Sequence, residues 1–442
     1  MHDAPSQTAA IAATRIGRLI LLLGLACGVV ACCKRHAAAQ APGAATLRVW
    51  AHAGQAGERN ILRAQVEQFN ARNPDLHVYL EFLPERNYNA QVQAAGVAGD
   101  LPDVLELDGP YLYNYVWEER LQPLQGWIPS ALRADLLPSI VAQGTYRGHL
   151  YGVGSFDSGL GLYARRSALA QAGARIPAHP REAWSLEEFE TLLERLAKID
   201  DDGAVLDLKL NYPDEWFIYA FAPLIWSAGG DLIDRRDYRS ADGFLNGAAA
   251  VMALTHIQRW LLDGRVDPNV DDASFTSGRV ALSWAGHWEY RRYHAAFGDD
   301  LVLVPLPDFG RGSRTSQGSW VWTMTKACRH PALAARFLAY LLETDQVLAM
   351  TAANAAVPAT RSAIARSPLY RPGGPLHLFA EQLMEGYAVP RPKTPAYPVI
   401  SSAFRRAFAE IRDGAPVQQA LDRAVAVIDQ DIRDNHGYQP VP

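Results

Sequence analysis

A cysteine framework, an excess of positive charge and a long basic run are all missing from the chain. Four Cys in 442 residues cannot staple a fold, and none are spaced as the Cys-x-x-Cys of a zinc or redox site. The formal charge of -5 without a basic run removes the electrostatic footprint of a nucleic-acid binder, so no nucleic acid is expected as a partner. Gly (34) and Pro (28) are too few for a collagen-like or low-complexity chain. Reaction machinery is equally sparse. There is no Gly-x-Ser-x-Gly elbow, since residue 281 is Ala in the nearest candidate, Leu282-Ser283-Trp284-Ala285-Gly286. No His-Glu-x-x-His, Walker loop or dinucleotide glycine fingerprint occurs. Asp200-Asp201-Asp202-Gly203 lacks the alternating acids and the twelfth-position glutamate of a calcium loop, with Lys198 and Lys209 at the terminal positions, and reads as a polar turn. No cofactor, no metal and no enzymatic activity are expected.

What is present begins with a targeting signal. Arg15 and Arg18 precede an uncharged, mostly apolar run at 19–33. As a helix that run rises about 22 Å, short of a ~30 Å hydrocarbon core. Val29-Val30-Ala31-Cys32 resembles the lipobox of bacterial lipoproteins, with residues 1–31 removed and Cys32 lipidated; an ordinary cut near Ala37-Ala38-Ala39-Gln40 is the alternative. Both export the chain to the periplasm or the cell-envelope face. Residues 32–46 then form a flexible tether. Cys33 and Cys328 could pair only if the tether reached the body of the chain.

The body reads as mixed α/β. Alternation at 47–51 and 76–82 predicts strands, helical spacing predicts helices at 58–72 and 86–97, and a short strand follows at 103–107. This βαβαβ start predicts a parallel sheet with ligand beyond the carboxyl ends of its strands. Residues 146–153 read as hairpin-like. Further helices are expected at 186–199, with a Ser185/Glu188 capping box and Trp184 packed on Phe189, and at 248–262, 331–350 and 417–432. Buried strands are expected at 280–284, 301–304 and 319–324.

Aromatic residues sit in glycine-containing, loop-like stretches: Trp226-Ser227-Ala228-Gly229-Gly230, Trp284-Ala285-Gly286-His287-Trp288-Glu289 and Gly318-Ser319-Trp320-Val321-Trp322. A flat ring beside a small residue offers a platform for the C–H face of a sugar, whose hydroxyls are met by polar neighbours. Core packing is the competing explanation for each ring.

Ten short stretches in order (47–50, 69–74, 99–104, 121–124, 146–153, 161–166, 183–189, 226–230, 275–282 and 334–338) resemble the extracellular solute-binding proteins of carbohydrate ABC importers. These are maltose-binding-protein-like proteins, solute-binding family 1. Tyr163-Ala164-Arg165 and Gln317-Gly318 depart from the family pattern. The resemblance implies a periplasmic-binding-protein-like fold of two α/β lobes, 47–153 with 307–352 and 156–304 with 355–435, a ligand cleft and interlobe chain crossings. It implies a monomer that captures a sugar or oligosaccharide and delivers it to membrane permease subunits, held by a lipid anchor. By position it points to Trp50, Asp108, Tyr111, Trp226, Trp288, Trp320, Arg361 and Arg391 as ligand residues. Glycerol-3-phosphate or a glycerophosphodiester is the alternative ligand, with Arg361 or Arg391 as its phosphate partner. A periplasmic glycosidase using Asp108 and Glu289 is the alternative activity.

Overall fold

In strand β1 (Ala45–His52), Leu47, Val49 and Ala51 point into the core while Arg48 and Trp50 face away, the two-residue period of a half-buried strand. The computed structural model describes residues 45–439. The signal segment, Cys32, Cys33 and nearly all of the tether lie outside the described residues; β1 starts two residues before the expected 47. Helix α1 (Ala56–Arg72), strand β2 (Leu76–Leu83), helix α2 (Tyr88–Ala98) and strand β3 (Val104–Asp108) complete the βαβαβ start, and β1 pairs β3 in parallel.

The chain adds short strands β4 (Leu121–Gln122) and β5 (Gly152–Val153) and then builds a second sheet. Its members are β6 (Leu160–Arg165), β7 (Leu206–Asp207), β8 (Val266–Asp267), β9 (Leu282–Gly286) and β10 (Leu301–Val304), in the order β8-β7-β9-β6-β10. Strand β11 (Trp320–Thr325) returns to the first sheet, antiparallel to β3, giving the order β2-β1-β3-β11-β4 with β5 also on β11. Residues passing between the sheets pair with one another: Phe156–Asp157 with Val357–Pro358, and Thr315–Gln317 with Ala388–Pro390.

Helix α3 (Leu186–Ala197) has the expected cap. The Ser185 hydroxyl accepts the Glu188 N–H at 3.1 Å, and the Glu188 carboxylate accepts the Ser185 N–H at 2.8 Å. Trp184 lies 6.3 Å from the Phe189 ring. Helix α4 (Trp216–Ser227) is buried on nearly every side, so it has no polar stripe and no helical period to betray it in the sequence. Trp226, expected in a loop, is in its last turn. Helix α5 (Ala248–Leu262) matches its expected bounds.

The single helix expected at 331–350 is two, α6 (Pro331–Leu341) and α7 (Thr344–Asn354). The break falls at Glu343, whose ψ of 139° is extended and which stands as the N-cap residue of α7. Both helices pack behind the first sheet, with Phe337 5.2 Å from Phe69 of α1. Helices α8 (Tyr397–Arg412) and α9 (Val417–Asp434) pack on each other and on α5, beside the second sheet. The Asp200 turn is polar as expected, its carboxylate accepting the N–H groups of Asp202 and Gly203. Cys328 is a buried free thiol.

Candidate functional site

The carboxyl ends of β1, β3 and β9 open into one cleft of about 1120 Å³, as expected for open α/β sheets. Its walls also take residues from the segments passing between the sheets and from the start of α8. Asp108, Tyr111, Trp288, Trp320 and Arg391 all line it.

Arg391 is buried between two carboxylates. One guanidinium nitrogen donates to Asp108 at 2.9 Å and the other to Glu215 at 2.9 Å. Glu215 also accepts from the hydroxyls of Tyr397 at 2.6 Å, Tyr111 at 2.9 Å and Ser401. Burial, then the neighbouring Asp108 carboxylate, push Glu215 above the usual carboxylate range. Burial opposes the charge on Arg391, but Asp108 and Glu215 hold it protonated well above its ordinary value. The guanidinium lies 5.1 Å from the Tyr219 ring centre, so cation and aromatic wall are one unit.

On the strand next to Asp108, of which Trp320 is the register partner, the Trp320 indole lies flat on His52, centroids 3.8 Å apart and planes 1° apart. His52 contacts Glu106 at 2.8 Å and Glu58 at 3.6 Å. Burial works against the imidazolium, yet Glu106 and Glu58 prevail and raise His52 to about 9. Trp320 therefore stacks on a cation at neutral pH.

Trp288 follows Gly286, the last residue of β9. Its ring lies directly over that glycine: a Cβ at Gly286 would fall 2.1 Å from the indole. The Trp288 N–H donates to the Tyr212 hydroxyl at 3.3 Å, and Tyr212 donates to Glu289, which Arg292 holds at 2.6 Å. Gly286→Ala is expected to displace the indole while the backbone stays comfortable, because φ is -99° there. Ligand affinity should fall about tenfold with little change in melting temperature, read by calorimetry and thermal denaturation. Unchanged affinity would mean that Trp288 does not meet the ligand.

Three residues expected at the site are elsewhere. Trp50 points from the opposite face of β1 to the strand's inward residues, and its N–H donates to Glu81 at 3.1 Å. Trp226 is 6% exposed in the core, its N–H donating to Asp231 at 2.9 Å and its ring under Arg235. Arg361 donates to the carbonyls of Ala134 and Leu136, where a short helix ends, and lines a separate hollow. Its charge satisfies a helix terminus.

The expectation lacked His52, Glu58, Tyr212, Glu215 and Tyr219, which line the cleft. Only His52 had a signal, its place at the end of a predicted strand. Tyr219 belongs to the aperiodic α4, and Tyr212 and Glu215 to the turn before it.

Comparison with known proteins bears on this architecture. Residues 64–371 match the family model described as bacterial extracellular solute-binding protein. An uncharacterised lipoprotein in the oleD 5' region of Streptomyces antibioticus is 27% identical over 218 residues, 49% of this chain and 46% of that one. The chain thus spans about half the length of this curated relative. Among solved structures, the GacH receptor of Streptomyces glaucescens, determined unliganded and with acarbose, is 22% identical (88% of this chain, 98% of that chain, TM-score 0.72). The sugar-binding protein MalE of Xanthomonas citri is 21% identical (89% and 98%, TM-score 0.73). These likenesses carry the fold, two α/β lobes around a cleft, and the match over most of the chain carries the family: the protein belongs to the bacterial extracellular solute-binding proteins.

Proposed function

We propose that the protein is the substrate-binding component of a carbohydrate ABC importer, capturing a sugar or oligosaccharide in the cleft and delivering it to permease subunits in the membrane. The observation that carries this reading is the cleft wall, which holds the indoles of Trp288 and Trp320 and the Tyr219 ring together with the hydrogen-bonding groups of Asp108, Glu289 and Arg391. Rings take the C–H faces of a pyranose and the polar groups its hydroxyls. The volume, about 1120 Å³, exceeds the ~300–1,000 Å³ of most small-molecule pockets and leaves room for more than one sugar unit. The solved relatives named above, one a receptor crystallised with acarbose and the other a sugar-binding protein, agree with this ligand class. We assign the lobes to 47–153 with 307–352 and 156–304 with 355–435, each around one sheet, and the functional motion to their closure on ligand.

The phosphate alternative is weakened because Arg361 is outside the cleft and Arg391 is already shared by two carboxylates. The glycosidase alternative needs a free acid and a free base. Asp108 and Glu289 are instead each paired with an arginine, so binding without turnover is the reading kept.

A thermal-shift screen of mono- to tetrasaccharides and glycerophosphodiesters tests the assignment. A cognate sugar at a hundredfold its Kd should add ~2.7 kcal/mol to stability. A shift by a phosphodiester alone would replace the sugar reading, and product release from an oligosaccharide would replace the receptor reading.

We place the mature protein, a monomer, on the envelope side of a membrane, anchored through lipid on Cys32; the relative from Streptomyces antibioticus is also named a lipoprotein. Cys32→Ala should move the protein from the membrane fraction to the soluble fraction of the cell envelope. A variant that sediments with membranes like wild type would overturn the lipobox reading.

A further inference from the structure

The two buried ion clusters of the cleft have the same composition. His52 faces Glu106 and Glu58, and Arg391 faces Asp108 and Glu215. Each has one cation for two carboxylates, so each holds one carboxylate in excess when all groups are ionised. The excess is visible on the carboxyls, since burial, only partly offset by His52, pushes Glu58 up to about 7, and Glu215 is raised too.

In the Arg391 cluster both acids are tightly held by the guanidinium, and three hydroxyls donate to Glu215. Glu58 is different. It is 9% exposed and lines the cleft, and its carboxylate accepts from the Gln55 backbone N–H but from no side chain among the described residues. Its nearest cation, the His52 imidazolium, is 3.6 Å away, beyond hydrogen-bond length. The Ser319 hydroxyl, on a buried residue that lines the same cleft, has no hydrogen-bond partner among the described residues. The Trp320 indole, stacked on His52, lines the same cleft, and rings of this kind attract a cation to their faces. The other cationic side chains of the wall do not meet the deficit. Arg405 is paired with Asp214 and Arg86 is solvent-exposed.

We propose that the cleft takes a saccharide bearing a protonated amine, with Glu58 accepting from the ammonium and Ser319 pairing with a neighbouring ligand hydroxyl. The proposal rests on the saccharide reading of the cleft and narrows its ligand class. An ammonium supplies the one missing positive charge and hydrogen-bonds a carboxylate that no side chain satisfies. A neutral sugar offers the hydrogen bond without the charge, and an anionic one adds to the excess.

The test is calorimetric titration of the whole protein at about pH 7, where the Glu58 carboxyl and a sugar amine are each partly ionised, with matched ligands. These are cellotriose against the fully deacetylated chitosan trimer, glucose against glucosamine, maltose to maltotetraose, and glycerol 3-phosphate. The tightest ligand should carry an amine and bind about tenfold or more tighter than its neutral match. Glu58→Gln should bring the ratio of the two affinities close to one, whatever it does to each; Glu58→Asp, which keeps the charge, should retain part of the ratio. In the wild type, added salt should weaken the amine ligand more than the neutral one, a comparison that needs no variant to fold. A neutral or anionic ligand as the tightest, or an amine advantage that survives Glu58→Gln, overturns the proposal and leaves the saccharide reading standing. If no saccharide of either kind binds, the saccharide reading falls and the proposal with it.

Discussion

Arg391→Met is expected to destabilise the protein by about 3–5 kcal/mol at pH 7.5, the cost of breaking a buried ion pair from one side. The Arg391 side chain is 4% exposed and those of Asp108 and Glu215 are 12% and 16% exposed, so little solvent screens the loss. Removing the guanidinium leaves two carboxylates facing each other beside Tyr219 and Tyr397. Glu215 is already above its ordinary value with the cation in place, and without it Glu215 must rise further. An acid whose folded pKa is raised contributes stability below its unfolded value, ~4.3 for Glu, and loses it as pH rises through the folded value. The deficit of Arg391→Met relative to wild type should therefore shrink as pH falls from 7.5 to 5. Urea denaturation at those two pH values measures it. A deficit that is the same at both would mean that the lost interaction is the contact of the Arg391 side chain with the Tyr219 ring, with ionisation of the two acids a minor part.

Truncating the cleft indoles should separate binding from folding. Trp288→Ala and Trp320→Ala are each expected to weaken saccharide binding by roughly 1–3 kcal/mol, the scale of a buried aromatic anchor. A tryptophan that served only as core would cost ~3–5 kcal/mol of stability and leave the affinity of the folded fraction unchanged. The two positions should differ in one respect. Trp288 overlies a glycine and touches Trp216 edge-on at 6.0 Å, so its loss leaves the ion clusters intact. Trp320 covers His52 face to face at 3.8 Å, so its removal opens that imidazolium to water and loosens the Glu58 and Glu106 cluster as well. Trp320→Ala should therefore lose both affinity and stability, and Trp288→Ala mainly affinity. Titration and denaturation of the two variants side by side decide this, and equal stability losses would show that both rings are structural.

What could be read from the sequence alone was whatever is written in local periodicity. The βαβαβ start, α3 with its capping box, α5 and α9 came from residues whose polar and apolar alternation is set by a solvent face. The cysteine, charge and motif counts set the expectations about function class without any coordinates. Periodicity failed where both faces of an element are buried, as in α4, and where a helix is interrupted by an extended residue, as at Glu343 between α6 and α7. The site was legible in part. Asp108, Tyr111, Trp288, Trp320 and Arg391 were named from the sequence and line the cleft, whereas Trp50, Trp226 and Arg361 share their residue types and even their glycine-rich surroundings but lie elsewhere. A ring or a guanidinium looks the same in sequence whether it faces a cleft or a core. Only the tertiary structure sends Trp226 to Asp231, Arg361 to a helix end, and Arg391 across hundreds of residues to Asp108 and Glu215. The burial of those charges, and so the pKa shifts and the shortage of positive charge beside Glu58, depends on distances that no sequence spacing contains.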